Sequence, residues 1–219
     1  MRNWRASVEA TLPYLPLPSN SEREEIHTER LVIRPLREDD LPAYHVLRSQ
    51  AAAMMGTMQG RPDRDINESR IALRGFLPPN DKKTFLFGVF LGFTGELIGE
   101  GGVYTMESSL CGWPEIDYKF KKEFWGRGYA TEFLAAMLEA WWKLPRSATG
   151  LRVSSSSLPE GSEACEQISA VTEMDNTASQ RVLEKLGFVK FIEWTEPDTR
   201  EHRLGQPVTL LGYQLASKG

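Results

Sequence analysis

Two stretches of the 219-residue chain combine residue types that hold anions and move protons. In Phe124-Trp125-Gly126-Arg127-Gly128-Tyr129-Ala130-Thr131, two glycines stand ahead of the apolar helical pattern Phe133-Leu134-Ala135-Ala136-Met137-Leu138. Neither glycine has a Cβ, so a ligand can approach the backbone closely. The helix that follows turns its unpaired first N–H groups and the positive end of its dipole into that turn, which makes an anion site, most often for pyrophosphate. Taken alone, Gly-x-Gly also reads as a tight turn. The second stretch is Asn176-Thr177-Ala178-Ser179-Gln180-Arg181-Val182-Leu183-Glu184-Lys185-Leu186-Gly187-Phe188. Asp175 or Asn176 caps this helix, and Gly187 sits where a C′ glycine belongs. Carboxylates complete the set. Glu115 and Asp117 alternate with Ile116, Tyr118 and Phe120 and share a face with Lys119, while Glu100 lies on the preceding strand.

These stretches, together with the opening strand Thr28-Glu29-Arg30-Leu31-Val32-Ile33-Arg34-Pro35-Leu36, resemble the GNAT superfamily of acetyl-CoA-dependent N-acetyltransferases. The nearest branch is the one that includes the ribosomal-protein alanine acetyltransferases, whose Trp-Gly-x-Gly-Tyr-Ala-Thr loop and Asn-x-x-Ser-x-x-x-Leu-Glu-Lys-x-Gly-Phe helix occur here in the same order. The likeness spans about residues 28 to 216. Trp125 stands where the wider superfamily usually has Gln or Arg.

The resemblance implies that acetyl-CoA is the cosubstrate, with its pyrophosphate on the loop of Trp125, Gly126, Arg127, Gly128, Tyr129, Ala130 and Thr131. It implies that the backbone around Tyr118, Lys119 and Phe120 pairs with the pantetheine and donates an N–H to the acetyl oxygen. Asn176 matches the asparagine beside the cofactor, and Ser179 the serine near the thioester sulfur. Transfer to an ammonium of pKa near ~10 also needs a base. Glu115 ranks first, Glu100 second and Asp117 third, each weighed against a solvated strand edge with Lys119 as partner. Ser179 is the candidate acid, weighed against a small residue where the helix crosses CoA. The expected acceptor is a small amine or a protein N-terminus, attacked directly in a ternary complex. The alternative is a catalytically inactive CoA-binding sensor or interaction module, which keeps the glycine loop and lacks a working base.

The expected fold is α/β: a mixed, mostly antiparallel, twisted sheet flanked by helices, with the fourth and fifth strands of the family fold splayed to admit pantetheine. The alternation in 84–91 and 96–105 makes a hairpin, 113–120 leads into the glycine loop, and 127–143 is helical through Phe133, Met137, Ala140, Trp141 and Leu144. The hairpin argues against a nucleotide-binding repeat of βαβ units. Helices are also expected after Asp39 and Asp40 and over 63–77, the latter through Ile66, Ile71, Leu73 and Phe76. Residues 167–172 form a strand, and 188–194 pairs with 207–215. Residues 1–27 form an extension in which Pro13, Pro16 and Pro18 forbid a regular helix, while Trp4, Leu12, Tyr14 and Leu15 can pack on the domain of 28–219. Residues 145–165, with Pro145, Gly150, four serines from Ser154, Pro159 and Gly161, read as an inserted loop.

Net charge is −4, which argues against a general nucleic-acid binder, and no apolar run is long enough to span a bilayer. Cys111 and Cys165 suggest a reducing, cytoplasmic setting rather than a disulfide framework. His27, His45 and His202 lack metal spacing, so no metal is expected. A monomer or homodimer is expected.

Overall fold

The computed structural model describes residues 5–158 and 165–217; Trp4, Pro159 and Gly161 of the expectations above lie outside them. An eight-stranded sheet runs in the order β2-β3-β4-β5-β6-β8-β10-β9. Its strands are β2 (Ile26–His27), β3 (Leu31–Arg34), β4 (Phe85–Leu91), β5 (Leu97–Thr105), β6 (Glu115–Phe120), β8 (Gln167–Glu173), β9 (Val189–Pro197) and β10 (Pro207–Ala216). All neighbours are antiparallel except β6 and β8, so this is the mixed, mostly antiparallel sheet expected.

Alternation sets what each face covers. Phe85, Phe87 and Val89 of β4, Ile98 and Val103 of β5, and Ile116 and Phe120 of β6 point to one side. They pack there against Phe133, Leu134, Met137 and Trp141 of helix α4 (Tyr129–Trp142). On the other side Phe90 and Leu97 meet Leu41 and Tyr44 of α1 (Leu41–Arg48), and Leu73 of α3 (Ile66–Leu73), with Phe76 just beyond it. A short α2 (Ala51–Met54) follows α1, and α5 (Thr177–Lys185) follows β8.

The α3 pattern holds only in part. Leu73 and Phe76 are buried, whereas Ile71 is 65% exposed. Asp40 stands at the N-cap of α1 but does not cap with its side chain, because Arg34 takes its carboxylate in a two-pronged ion pair at 2.7 and 2.8 Å. Gly187 has the left-handed φ of +87° that ends α5.

The main departure lies in the extension and the expected insertion. Arg146–Ser154 is not a loop but strand β7, paired antiparallel along its whole length with strand β1 (Arg5–Pro13) in a separate two-stranded sheet. Both strands alternate: Val8, Ala10 and Leu12 turn inward from β1, and Leu151 and Val153 from β7. Ala10 and Val153 close over Cys111 and the fully buried Trp113. The serine run is structural as well. Ser157 is buried and accepts the Trp113 indole N–H at 3.0 Å. Leu12 packs as expected, but Tyr14 and Leu15 are 57% and 64% exposed; Leu17 instead enters the main core. Cys111 is buried, Cys165 is exposed, and both are free thiols.

Candidate active site

The site exists because β6 and β8 part company. They pair only at Glu115↔Ser169 and Ile116↔Ala170, and beyond that point each strand has an open edge toward the other. Backbone N–H and C=O groups without a strand partner seek another, and an extended ligand in the gap supplies one. Two cavities meet at this gap and share Ile116, Asp117, Tyr118, Lys119, Val171, Thr172 and Glu173.

The first cavity, about 440 Å³, lies toward α4 and α5. Gly128 opens α4 with φ +83°, and Gly126 just before it has φ +70°. Both values are left-handed, which a side chain strains and glycine does not. The first N–H with a helical partner is that of Glu132, bonded to the Gly128 carbonyl at 3.0 Å. The N–H groups of Tyr129, Ala130 and Thr131 are therefore the free donors of the first turn, and all three residues line the cavity. Arg181 and Lys185 of α5 line it too. Left-handed glycines, free helix donors and two cations fit the diphosphate and extended arm of acetyl-CoA. Trp125 braces the loop by donating its indole N–H to the Phe120 carbonyl at 2.8 Å. Arg127 does not line the cavity; its carbonyl accepts from Arg30 at 2.9 Å, and Arg30 also pairs with Glu132 at 2.6 Å.

Asn176 is the N-cap of α5 and accepts the Ser179 N–H at 3.1 Å. Asn176 and Ser179 both line the cavity. The Tyr118 side chain crosses the gap so that its hydroxyl lies 3.5 Å from the Ser179 carbonyl. Burial pushes the Tyr118 phenol up to about 12, with Ser179 opposing and Asp117 adding to the shift. It therefore keeps its proton at neutral pH.

The second cavity, about 480 Å³, lies on the opposite side of the gap, under α1 and α3. Glu115, Glu100 and Asp117 all line it, as does Lys119. Glu115 is 8% exposed; its two oxygens accept the Tyr104 hydroxyl, at 2.5 Å, and the Ser108 hydroxyl. Burial, and after it the Glu115 charge, push the Tyr104 phenol well up. Lys119 is not the partner of Glu115. It stands opposite Glu100 in the sheet and pairs with it there. Glu100 is 3% exposed, and its second oxygen is buried without a hydrogen bond. Asp117 is exposed at the junction.

The far wall is a charged cluster that the sequence did not announce. Arg200 binds Asp198 through two nitrogens at 2.9 and 2.7 Å, binds Glu173, and donates to the Met55 carbonyl at 3.2 Å. Arg203 adds contacts to Glu173 and Asp198 at 2.7 and 2.9 Å. Gly60 lies flat on the Arg200 stem, where an added Cβ would come within 2.6 Å. Glu173 ends β8 while Asp198, Arg200 and Arg203 follow β9, so no motif within one element signals the set. Tyr104 and Ser108, only 11 and 7 residues before Glu115, and the Tyr118 hydroxyl belong to no motif that marks them as partners. Among the described residues no group of three or more side chains is arranged to hold a metal ion.

The acetyltransferase (GNAT) domain family matches residues 30–189. An acetyltransferase of the GNAT family from Bacillus anthracis is 20% identical, with 88% of this chain and 98% of that one covered at a TM-score of 0.65. A GCN5-related N-acetyltransferase from Brucella melitensis is 14% identical, with 93% and 82% covered and a TM-score of 0.65. The ribosomal-protein alpha-N-acetyltransferase RimL, in complex with coenzyme A, is 16% identical, with 88% and 98% covered and a TM-score of 0.65.

Proposed function

Because this chain belongs to the GNAT acetyltransferase family and is an acetyl-CoA-dependent N-acetyltransferase, we propose that it moves the acetyl group directly onto an amine held in the second cavity. The observation that carries this reading is the meeting of two unlike cavities at one gap. One offers a helix N-terminus and cations; the other offers carboxylates. An anionic cosubstrate and a cationic acceptor each find the complementary side.

On this reading the phosphates rest on the N–H groups of 129–131, with Gly126 and Gly128 allowing close approach. The pantetheine runs along the free edge of β6 at Tyr118, Lys119 and Phe120. Asn176 holds the start of α5 against it. Glu115 takes the proton of the ammonium, directly or through one water, and the Tyr104 and Ser108 hydroxyls fix its orientation. The nitrogen then forms its bond to the acetyl carbon as the carbon–sulfur bond breaks. The sulfur leaves with a proton from the Ser179 or the Tyr118 hydroxyl, and the second proton that the nitrogen sheds as the amide forms restores that hydroxyl. Asp117 at the junction helps to hold the ammonium. Small amines and protein N-termini both satisfy this chemistry.

The test is release of free thiol from acetyl-CoA with a panel of amines and N-terminal peptides. Amine-dependent release, with one acetyl gained by the acceptor in mass spectrometry, supports direct transfer. Acetyl retained on the protein in the absence of acceptor would point to a covalent route instead.

A further inference from the structure

The acceptor cavity has an arm that proton transfer does not use. Leu86 on β4, Gly102 on β5 and Asp117 on β6 stand opposite one another in the sheet register. Between Leu86 and Asp117, β5 runs as Gly101-Gly102 and offers no side chain, so a trough lies across it. Leu86, Gly101 and Asp117 all line the cavity. Two strand spacings make this trough about 10 Å long. Ala72, Phe76 and Tyr44 line the same cavity.

Each charge beside the arm already has an ion-pair partner, with one Glu100 oxygen left without a hydrogen bond. Glu100 pairs with Lys119, and Arg48 pairs with Asp63 at 2.6 Å. Of Glu115 and Asp117, which carry no cationic partner among the described residues, Asp117 stands at the junction with the gap and Glu115 lines the cavity two residues before it. A second cation carried into the arm would be desolvated there and would meet only a carboxylate that Lys119 already neutralises. An apolar group would instead exchange water for the faces of Phe76, Leu86 and Ala72.

We infer that the acceptor is a monocationic amine with an apolar tail, aryl or branched alkyl, whose ammonium sits at Asp117 and Glu115 and whose tail fills the arm between Leu86, Ala72 and Phe76. This rests on the transfer to an amine proposed above. A tailed small amine and a polypeptide that begins with a large apolar residue share this chemistry.

Thiol release is followed for phenethylamine, methylamine, 1,4-diaminobutane and two tripeptides, one beginning with phenylalanine and one with glycine. The tailed acceptors should exceed methylamine and diaminobutane in kcat/KM by at least about tenfold, the discrimination an apolar pocket supplies. Whichever of phenethylamine and the phenylalanine tripeptide is preferred identifies the source. Ala72→Leu, which narrows the arm, should erase most of the preference for phenethylamine over methylamine while CoA affinity stays unchanged. Equal turnover of methylamine or of the diamine overturns the arm. So does an intact preference in an Ala72→Leu protein that still binds CoA. If no amine promotes thiol release, it is direct transfer to amines that falls. Calorimetry on the CoA complex then judges the arm alone. Phenethylamine binding at least about tenfold tighter than methylamine upholds it, and equal binding refutes it.

Discussion

Glu115 is a carboxylate whose two oxygens are already engaged by hydroxyl donors, and yet it faces the cavity where the amine is expected. Hydroxyl partners orient a carboxylate without neutralising it, as a cation would, which separates Glu115 from Glu100 beside Lys119. Glu115→Gln keeps the shape and removes the basicity. Turnover should fall about 100-fold, with CoA affinity near that of the unmodified protein. Steady-state rates and calorimetry on the same preparation check this, and near-normal turnover would transfer the role to Glu100 or to proximity alone. Asn176 makes a cap bond, so Asn176→Ala should lower stability by about 1 kcal/mol. If the amide also serves the cofactor, turnover falls further than that loss explains; a lowered melting temperature with full activity would leave capping as its whole role. At this scale the sequence was legible where a residue acts within its own motif: the glycines, Asn176 and Ser179 all reach one cavity. It was silent where no motif joins the partners, whether they are near in the chain or distant. Nothing near Glu115 in sequence points to Tyr104, and nothing near Met55 points to Arg200.

Among the elements, the glycine turn and the N-terminal strand carry different lessons. Gly126 has no neighbour within 4 Å of an added Cβ, so Gly126→Ala meets no clash and pays only for its left-handed φ, about 1 kcal/mol. A fall in CoA affinity well beyond tenfold in a folded Gly126→Ala protein would show that the ligand itself needs the bare backbone. Unchanged affinity would move the phosphates elsewhere. The β1–β7 sheet was misread because prolines and serines drew attention away from period-two alternation. Val8-x-Ala10-x-Leu12 alternates as a half-buried strand does, but its partner lies far along the chain, and single-sequence patterns do not pair distant strands. Removing residues 1–13 uncovers Trp113, an aromatic side chain that buries roughly 200 Å². Such an exposure is worth several kcal/mol, so the melting temperature should drop by about 5–15 °C. An unchanged melting curve would mean that β1 adds nothing to the fold.

For the whole molecule, ion pairs tie together pieces that the sheet alone does not. Asp63, Glu132 and Glu173 are all held below the usual carboxylate range. Burial by itself would raise each of them. Hydrogen bonds from Arg48, Ser69 and Gln59 to Asp63, from Thr28 and Arg30 to Glu132, and from Arg200 and Arg203 to Glu173 outweigh it. A carboxylate whose folded value lies below its unfolded value of about 4 stabilises fully above that value and loses the contribution as pH falls through the folded one. The melting temperature should therefore be nearly flat above about pH 5 and fall steeply below about pH 4. Glu173→Gln should lower the plateau and make the acid limb shallower, and a limb of unchanged slope would show that this cluster contributes little.

The N-terminal strand also has a consequence for how the protein is made. Residues 5–13 leave the ribosome well before their partners at 146–154, which lie roughly 130 to 150 residues further along. At translation rates of about 5–20 residues per second, that strand waits on the order of ten seconds with its backbone unpaired. The loop that must close is long, so its pairing belongs to the late, slow part of folding. During that interval Val8, Ala10 and Leu12 line one face of an open edge, the kind of segment that pairs with the wrong chain when synthesis outpaces folding.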